Sequence, residues 1–320
     1  MCLRCQNLIK AIDAYIQKAD NDLQDQLNGE GYVEPEKTVE YVESIETGVE
    51  DALLAENAYV IDQAEQAIDL ETFARDVWPG VKLTGKLKVK LVDLFKSQLS
   101  EFMPEYVEYY IHQTDQELVL STVSKRTTAW VDLWSEDLAD LMQLTSNREI
   151  ESILENGLKN GDGVMEFARA IQDSKIRDPY WKARRAAVTE VLRAHSVAQQ
   201  EAFMQSPAVE SKLWRHTGGY RNEPRENHEA MDGTVVPKAE PFTLIGADGG
   251  TYFPMYPRDT NLPAGESINC HCISQPVVST KILGFSLEER MAMQQQAIDD
   301  MDAEWEAELD AQNRAKAGIE

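Results

Sequence analysis

Within one loop-rich stretch of this 320-residue sequence, five side chains carry imidazole or thiol donors suited to a metal ion: His216, His228, Cys270, His271 and Cys272. Imidazole nitrogen and thiolate sulfur are ligands that zinc favours, and four of them around one ion make a closed structural site. A small module with little helical core gains most from such a cross-link, since structural zinc contributes on the order of 10 kcal/mol in zinc-dependent peptides at neutral pH. His228, Cys270 and Cys272 are the expected ligands, with His216 or His271 completing a tetrahedron. Against this stands the spacing. Cys-x-Cys is tighter than the common Cys-x2-Cys knuckle and His228 lies far upstream, so ordinary buried polar residues are the alternative. Cys2 and Cys5 have knuckle spacing, but they stand at the chain terminus without a second pair nearby and carry little weight.

Other chemistry fails on inventory. The sequence holds no Gly-x-Ser-x-Gly elbow, His-Glu-x-x-His helix, Walker loop or dinucleotide fingerprint. A metal-dependent nuclease is the enzyme alternative, because His228 beside Asn227 and Asp232 could activate a water near a cation. A lone histidine among acidic neighbours is more commonly a hydrogen-bonded structural residue. Basic residues cluster as Lys182, Arg184, Arg185 and Arg193, then Lys212, Arg215, Arg221 and Arg225. Of these, Lys182, Arg184, Arg185, Arg215 and Arg225 are the expected contacts to DNA or an acidic partner, with pairing to the chain's own carboxylates as the alternative.

The elements that must position these residues are mostly helices. Leu8, Ile12, Ile16, Leu23 and Leu27 recur at helical spacing, and Val39, Val42, Ile45, Val49, Leu53 and Val60 continue it with Gly48 as one weak point. Trp78-Pro79-Gly80 is expected to break the pattern, and Pro104 to kink or restart the helix begun at Leu87. Trp130, Trp134, Leu138 and Leu141 predict another helix, Ser146 with Glu149 a capping box opening the next, and Asp162 a further cap. Asp178-Pro179 opens a long helix that Pro207 stops. Eight of the twelve prolines and seven glycines then fall between Pro207 and Pro276, around short apolar stretches such as Val235-Val236 and Leu244-Ile245. That is the pattern of short strands and loops. The expected fold is a mainly α N-terminal region with a small α+β C-terminal module and an acidic helical or disordered tail. Its expected parts are an extended helical region over 1–120, a helical domain over 121–206, the module over 207–285 and the tail over 286–320.

Composition bounds the partners. With 31 Lys plus Arg against 56 Asp plus Glu, the formal net charge is −25, which disfavours non-specific duplex binding over the whole surface. Acidity is concentrated early, where residues 1–70 carry four basic and sixteen acidic side chains, read as a solvated outer face. No apolar run reaches membrane-spanning length and no secretory core opens the sequence, so a soluble protein made in a cytoplasm, with reduced thiols, is expected.

The run Thr189-Glu190-Val191-Leu192-Arg193-Ala194, with Trp214, Pro224-Arg225, His228, Met231-Asp232-Gly233, Phe242, Pro254 and Asn269-Cys270-His271-Cys272, resembles the phage head morphogenesis family, the Mu F-like or SPP1 gp7-like minor head proteins. The resemblance is strongest over about residues 181–280; upstream, the order of helices is similar but not diagnostic. It implies a minor capsid protein of a tailed bacteriophage, associated with portal, capsid or scaffold components, with packaged DNA as a further contact and no catalytic residue. It also implies residence in the host cytoplasm during assembly and inside the head afterwards. A host-directed regulatory protein ranks third, behind the nuclease.

Overall fold

Helix-forming sequence dominates the first two hundred residues, and the computed structural model, which describes residues 19–174, 178–217, 224–282 and 284–318, folds it accordingly. A helix over 19–30 (α1) precedes α2 (Pro35–Glu65), α3 (Leu70–Thr72), a π-helical turn (Phe73–Val77), α4 (Trp78–Thr84), α5 (Leu87–Thr114), α6 (Lys125–Asn160), α7 (Val164–Ser174) and α8 (Asp178–Gln205). Short elements follow: β1 (Val209–Arg215), α9 (Glu226–Glu229), β2 (Val235–Pro237), β3 (Leu244–Ile245), β4 (Thr251–Tyr252), α10 (Ala264–Ser267) and β5 (Ile273–Val278). The acidic tail is one helix, α11 (Leu287–Ala317), opened by a capping box in which Ser286 and Glu289 satisfy each other's backbone N–H groups. The chain is thus mainly α with a small α+β module. No described helix is long and apolar enough to cross a membrane.

Several local expectations are corrected. Ser146 opens no helix, because α6 runs unbroken through it: no proline or glycine lies between Lys125 and Glu155, and Ile150 and Leu154 are buried in that helix. Trp78-Pro79-Gly80 starts α4 directly behind the π-helical turn instead of interrupting helix: Trp78 N–H bonds Phe73 O, and Pro79 has no N–H to place. Pro104 lies inside a continuous α5. Gly163, not Asp162, immediately precedes α7, and its N–H is held by Glu166 at 3.2 Å. The pattern from Leu8 to Ile16, with Cys2 and Cys5, lies outside the described residues.

Two compact units are interleaved along the chain. One takes the residues up to Val42, Phe102–Thr127 and everything from Thr189; the other takes Glu43–Glu101 and Thr128–Val188. The second unit is all helical, with a core in which Phe73 meets Trp78 and Phe167 at centroid distances of 6.2 and 5.5 Å, among Val60, Leu70, Ile150 and Leu154. Here Gly48 has a purpose: a Cβ at this position would stand 2.5 Å from a Leu94 methyl, so only glycine lets α2 and α5 approach this closely.

The first unit holds the module. Its three-stranded antiparallel sheet has the order β2-β1-β5, so β1 is central, with Leu213 opposite Val235 on one side and Trp214 opposite Ser274 on the other. The helical part of this unit centres on the fully buried His195 of α8. Its Nδ1 is 2.8 Å from the Tyr110 hydroxyl and its Nε2 3.0 Å from Thr38 Oγ1, while Tyr32, Phe102 and Tyr106 present their rings edge-on. Burial, with the Arg258 charge nearby, holds His195 well below the usual imidazole range, so it is a neutral core residue. The tail belongs to this unit too: Arg290 pairs with Asp115 at 2.6 Å, and Ile298 and Met301 are buried.

Candidate metal centre

Three short backbone devices bring the donor atoms together. The first is the single turn of α9, which carries His228 and ends in Met231-Asp232-Gly233. Met231 enters the module core with Trp214, Phe242, Leu244 and Leu262. Gly233 adopts φ 81°, a conformation that suits glycine, and its N–H reaches Trp214 O at 2.9 Å. Asp232 Oδ1 accepts the backbone N–H of His216 at 2.8 Å, fixing the residue that follows β1. The second is Asn269, whose φ of 56° lies in the left-handed region that asparagine tolerates better than most, and which turns the chain into Cys270. The third is the alternation along Cys270-His271-Cys272 at the entrance to β5: both cysteines are buried, whereas His271 Nδ1 bonds Glu30 at 2.9 Å.

The resulting geometry is tight. His228 Nδ1 is 3.5 Å from Cys270 Sγ and 3.6 Å from Cys272 Sγ, and the three donor atoms all lie within 4.8 Å of one another. His216 Nδ1 joins through Cys272 Sγ at 3.5 Å, and His216 Nε2 is buried without a hydrogen-bond partner among the described residues. All three members of the inner group are almost fully enclosed, at 1–3% exposure, with the Trp214 ring edge-on to His228 at 5.7 Å.

Two charged residues that sequence reasoning missed set the electrostatics. Glu266 Oε2 lies 2.8 Å from His228 Nε2 and 3.0 Å from Asn227 Nδ2, while its Oε1 accepts from Ala247 N at 2.8 Å. Burial pushes this carboxyl up, but those three donors outweigh it and hold Glu266 below the usual range. An ionised Glu266 requires a proton on His228 Nε2, so Nδ1 is the nitrogen that faces the sulfurs. Arg258 is wholly buried at φ 66° and donates to Leu192 O, Cys270 O, Cys272 O and Ser196 Oγ at 2.6–2.9 Å. Within the coupled thiol pair, the hydrogen bond from Cys272 pulls Cys270 well below the ordinary thiol range, assisted by His228 and Arg258, and Cys272 is raised in return. Neither residue announces itself: Glu266 precedes Cys270 by four positions in the single turn of α10, and Arg258 sits among turn residues.

Comparison with known proteins adds two findings. The family model for Phage Mu protein F like protein matches residues 148–275. Over 307 residues the chain is 33% identical to the uncharacterized protein YqbB of Bacillus subtilis (strain 168), covering 93% of this chain and 99% of that one. The chain belongs to the phage Mu protein F-like family. No solved structure matches it. The matched segment of this Mu F-like chain encloses His216, His228, Asp232, Arg258, Glu266 and both cysteines of the centre. Its helical motif is accounted for as well. Within Thr189–Ala194, Leu192 O accepts from Arg258, and the buried Glu190–Arg193 pair, 2.9 Å apart, presents Arg193 to Arg258 O.

The basic residues are divided between the two units. Lys182, Arg184 and Arg185 lie in the all-helical unit, Arg215 and Arg225 in the other. Lys182 pairs with Glu149 at 2.5 Å and Arg184 with Glu46 at 2.9 Å; Arg215 is 3.6 Å from Asp232, and Arg225 donates to Ile268 O at 2.7 Å. Arg185 is exposed. Lys212 and Arg193 are buried, so neither belongs to a surface patch, and Arg221 lies outside the described residues. Lys212 reaches Gln200 Oε1 at 3.0 Å and Met255 O at 2.7 Å above the Phe242 ring, on the face of β1 that also buries Trp214.

Proposed function

We propose that this chain is a minor head protein of a tailed bacteriophage that acts in particle assembly by docking on portal or procapsid components. The observation that carries the reading is the family match over residues 148–275, which takes in every residue of the candidate centre, beside a relative 33% identical over 93% of the chain. Membership in a head morphogenesis family favours an architectural role. The enclosure of His228 supports it: an imidazole with 1% exposure, held by Glu266 on one nitrogen and facing two sulfurs with the other, offers no face to a substrate. Asp232 is engaged with the His216 backbone, so the nuclease reading gains no support from its proximity in sequence. DNA is a secondary contact in this proposal, through the exposed Arg185 and the half-exposed Arg215.

The test is deletion of the gene from the phage that encodes it. Particles that assemble in low yield or carry defective genomes, rescued by the chain in trans, are the expected result. Normal particles of full infectivity, or a purified chain that ignores both portal and procapsid, would remove the assignment. Replacing Arg185 and Arg215 by Glu should weaken salt-sensitive retention on DNA; unchanged retention would take DNA out of the proposal.

A further inference from the structure

We infer that His228, Cys270, Cys272 and His216 hold one zinc ion that fastens the module, with Glu266 as the positioning residue behind His228. The argument begins with ligand spacing. Two ligands on a tetrahedral zinc, sulfur at about 2.3 Å and nitrogen at about 2.0–2.1 Å, stand about 3.5 Å apart. The three nitrogen–sulfur separations are 3.5, 3.6 and 3.5 Å, for His228 with Cys270, His228 with Cys272 and His216 with Cys272.

Proton accounting points the same way. With Nε2 committed to Glu266, His228 offers the sulfurs a single atom, Nδ1, yet two sulfurs face it at nearly equal distance. A cation between the three atoms satisfies all of them at once. A carboxylate behind a ligating imidazole is the usual means of fixing ring orientation, and Glu266 is itself fixed by Asn227 and Ala247. Arg258 bonds the carbonyls of both cysteines, so a buried positive charge lies beside the position where two thiolates would bind.

The fourth ligand follows from what each remaining histidine already does. His271 is spent on Glu30 on the far side of the strand entrance. His216 is anchored through its backbone by Asp232, its Nδ1 touches Cys272, and its buried Nε2 has no partner among the described residues. Four protein ligands and almost complete enclosure match a structural ion, not one that keeps an open position for water. Such an ion would join the end of β1, the α9 turn and the start of β5, segments that are separated by as much as 56 residues.

The experiment uses the full chain, purified under reducing conditions. Elemental analysis is expected to find about one zinc per chain. After chelator treatment, added Co2+ should give the thiolate charge-transfer band and the intense d–d bands of a tetrahedral site, displaced by one equivalent of Zn2+. Cys270→Ser with Cys272→Ser should abolish the charge-transfer band. His216→Ala should keep that band but alter the d–d bands, and Glu266→Gln should keep the spectrum while weakening zinc roughly 10–100-fold. Wild-type chain that neither carries zinc nor binds Co2+ would overturn the inference. So would a Cys270–Cys272 disulfide persisting under reduction, or a His216→Ala spectrum identical to wild type in the case of the fourth ligand.

Discussion

Arg258 shows how one side chain can organise a site that no spacing rule predicts. Its guanidinium spans Leu192 O, Cys270 O, Cys272 O and Ser196 Oγ, tying α8 to the cysteine segment. Substituting Arg258→Met should therefore take the arginine donor from the buried carbonyls of Cys270 and Cys272 and cost about 3 kcal/mol or more in urea unfolding. The exposed Arg185→Met should stay within about 0.5 kcal/mol of wild type, and equal effects of the two would refute the role given to Arg258. Lys212 carries a different prediction. Burial depresses its ammonium from 10.5 to about 7, with only the Asp259 and Glu240 charges opposing. Above pH 7 the unfolded chain binds more protons at this residue than the folded one, so stability should rise with pH from about 7 towards 10. Urea midpoints at successive pH values should show a shallower rise in Lys212→Met. Some slope should persist, because burial also lowers Lys238, to about 8. A slope unchanged by the substitution would show that Lys212 is charged in the fold.

Among the elements, α2 and α5 meet where the sequence looks weakest. Gly48 costs helix propensity, yet the Leu94 side chain fills the space that a Cβ would need. Gly48→Val should lower the melting temperature despite removing a glycine from a helix, and Leu94→Ala in the same chain should recover part of that loss. Additive destabilisation by the two would deny the contact. Ser146-Glu149 carries the opposite lesson: a capping-box pattern is only local, and α6 ignores it because continuous helix buries Ile150 and Leu154. Helices and their apolar faces were legible because periodicity reports burial directly. Trp78-Pro79-Gly80 was misread because proline stops a helix in its middle but suits its first turn.

At the level of the whole molecule, a net charge of −25 makes self-repulsion a term that salt should relieve. Raising ionic strength from near zero to physiological, where the Debye length is about 8 Å, is expected to raise the melting temperature. A fall would mean that the ion pairs, such as those of Lys125 and Arg126 with the tail, outweigh the repulsion. Interleaving of the two units has a further consequence: α2, α5, α6 and α8 each contribute residues to both, so cutting the chain at 120 or 206 would divide residues that fold together.

By itself the sequence determined the helical first part, the change of character after Pro207, the family, and three donors of the candidate centre, because periodicity, turn residues and ligand chemistry are properties of residue type. Tertiary structure alone decided which histidine stands beside Cys272, that Glu266 backs His228, that Arg258 lies under the cysteines and that Lys212 and Arg193 are buried. Each of these depends on side chains brought together by strand order and by turns at Asn269 and Gly233, and proximity in space between distant segments leaves no mark on local spacing.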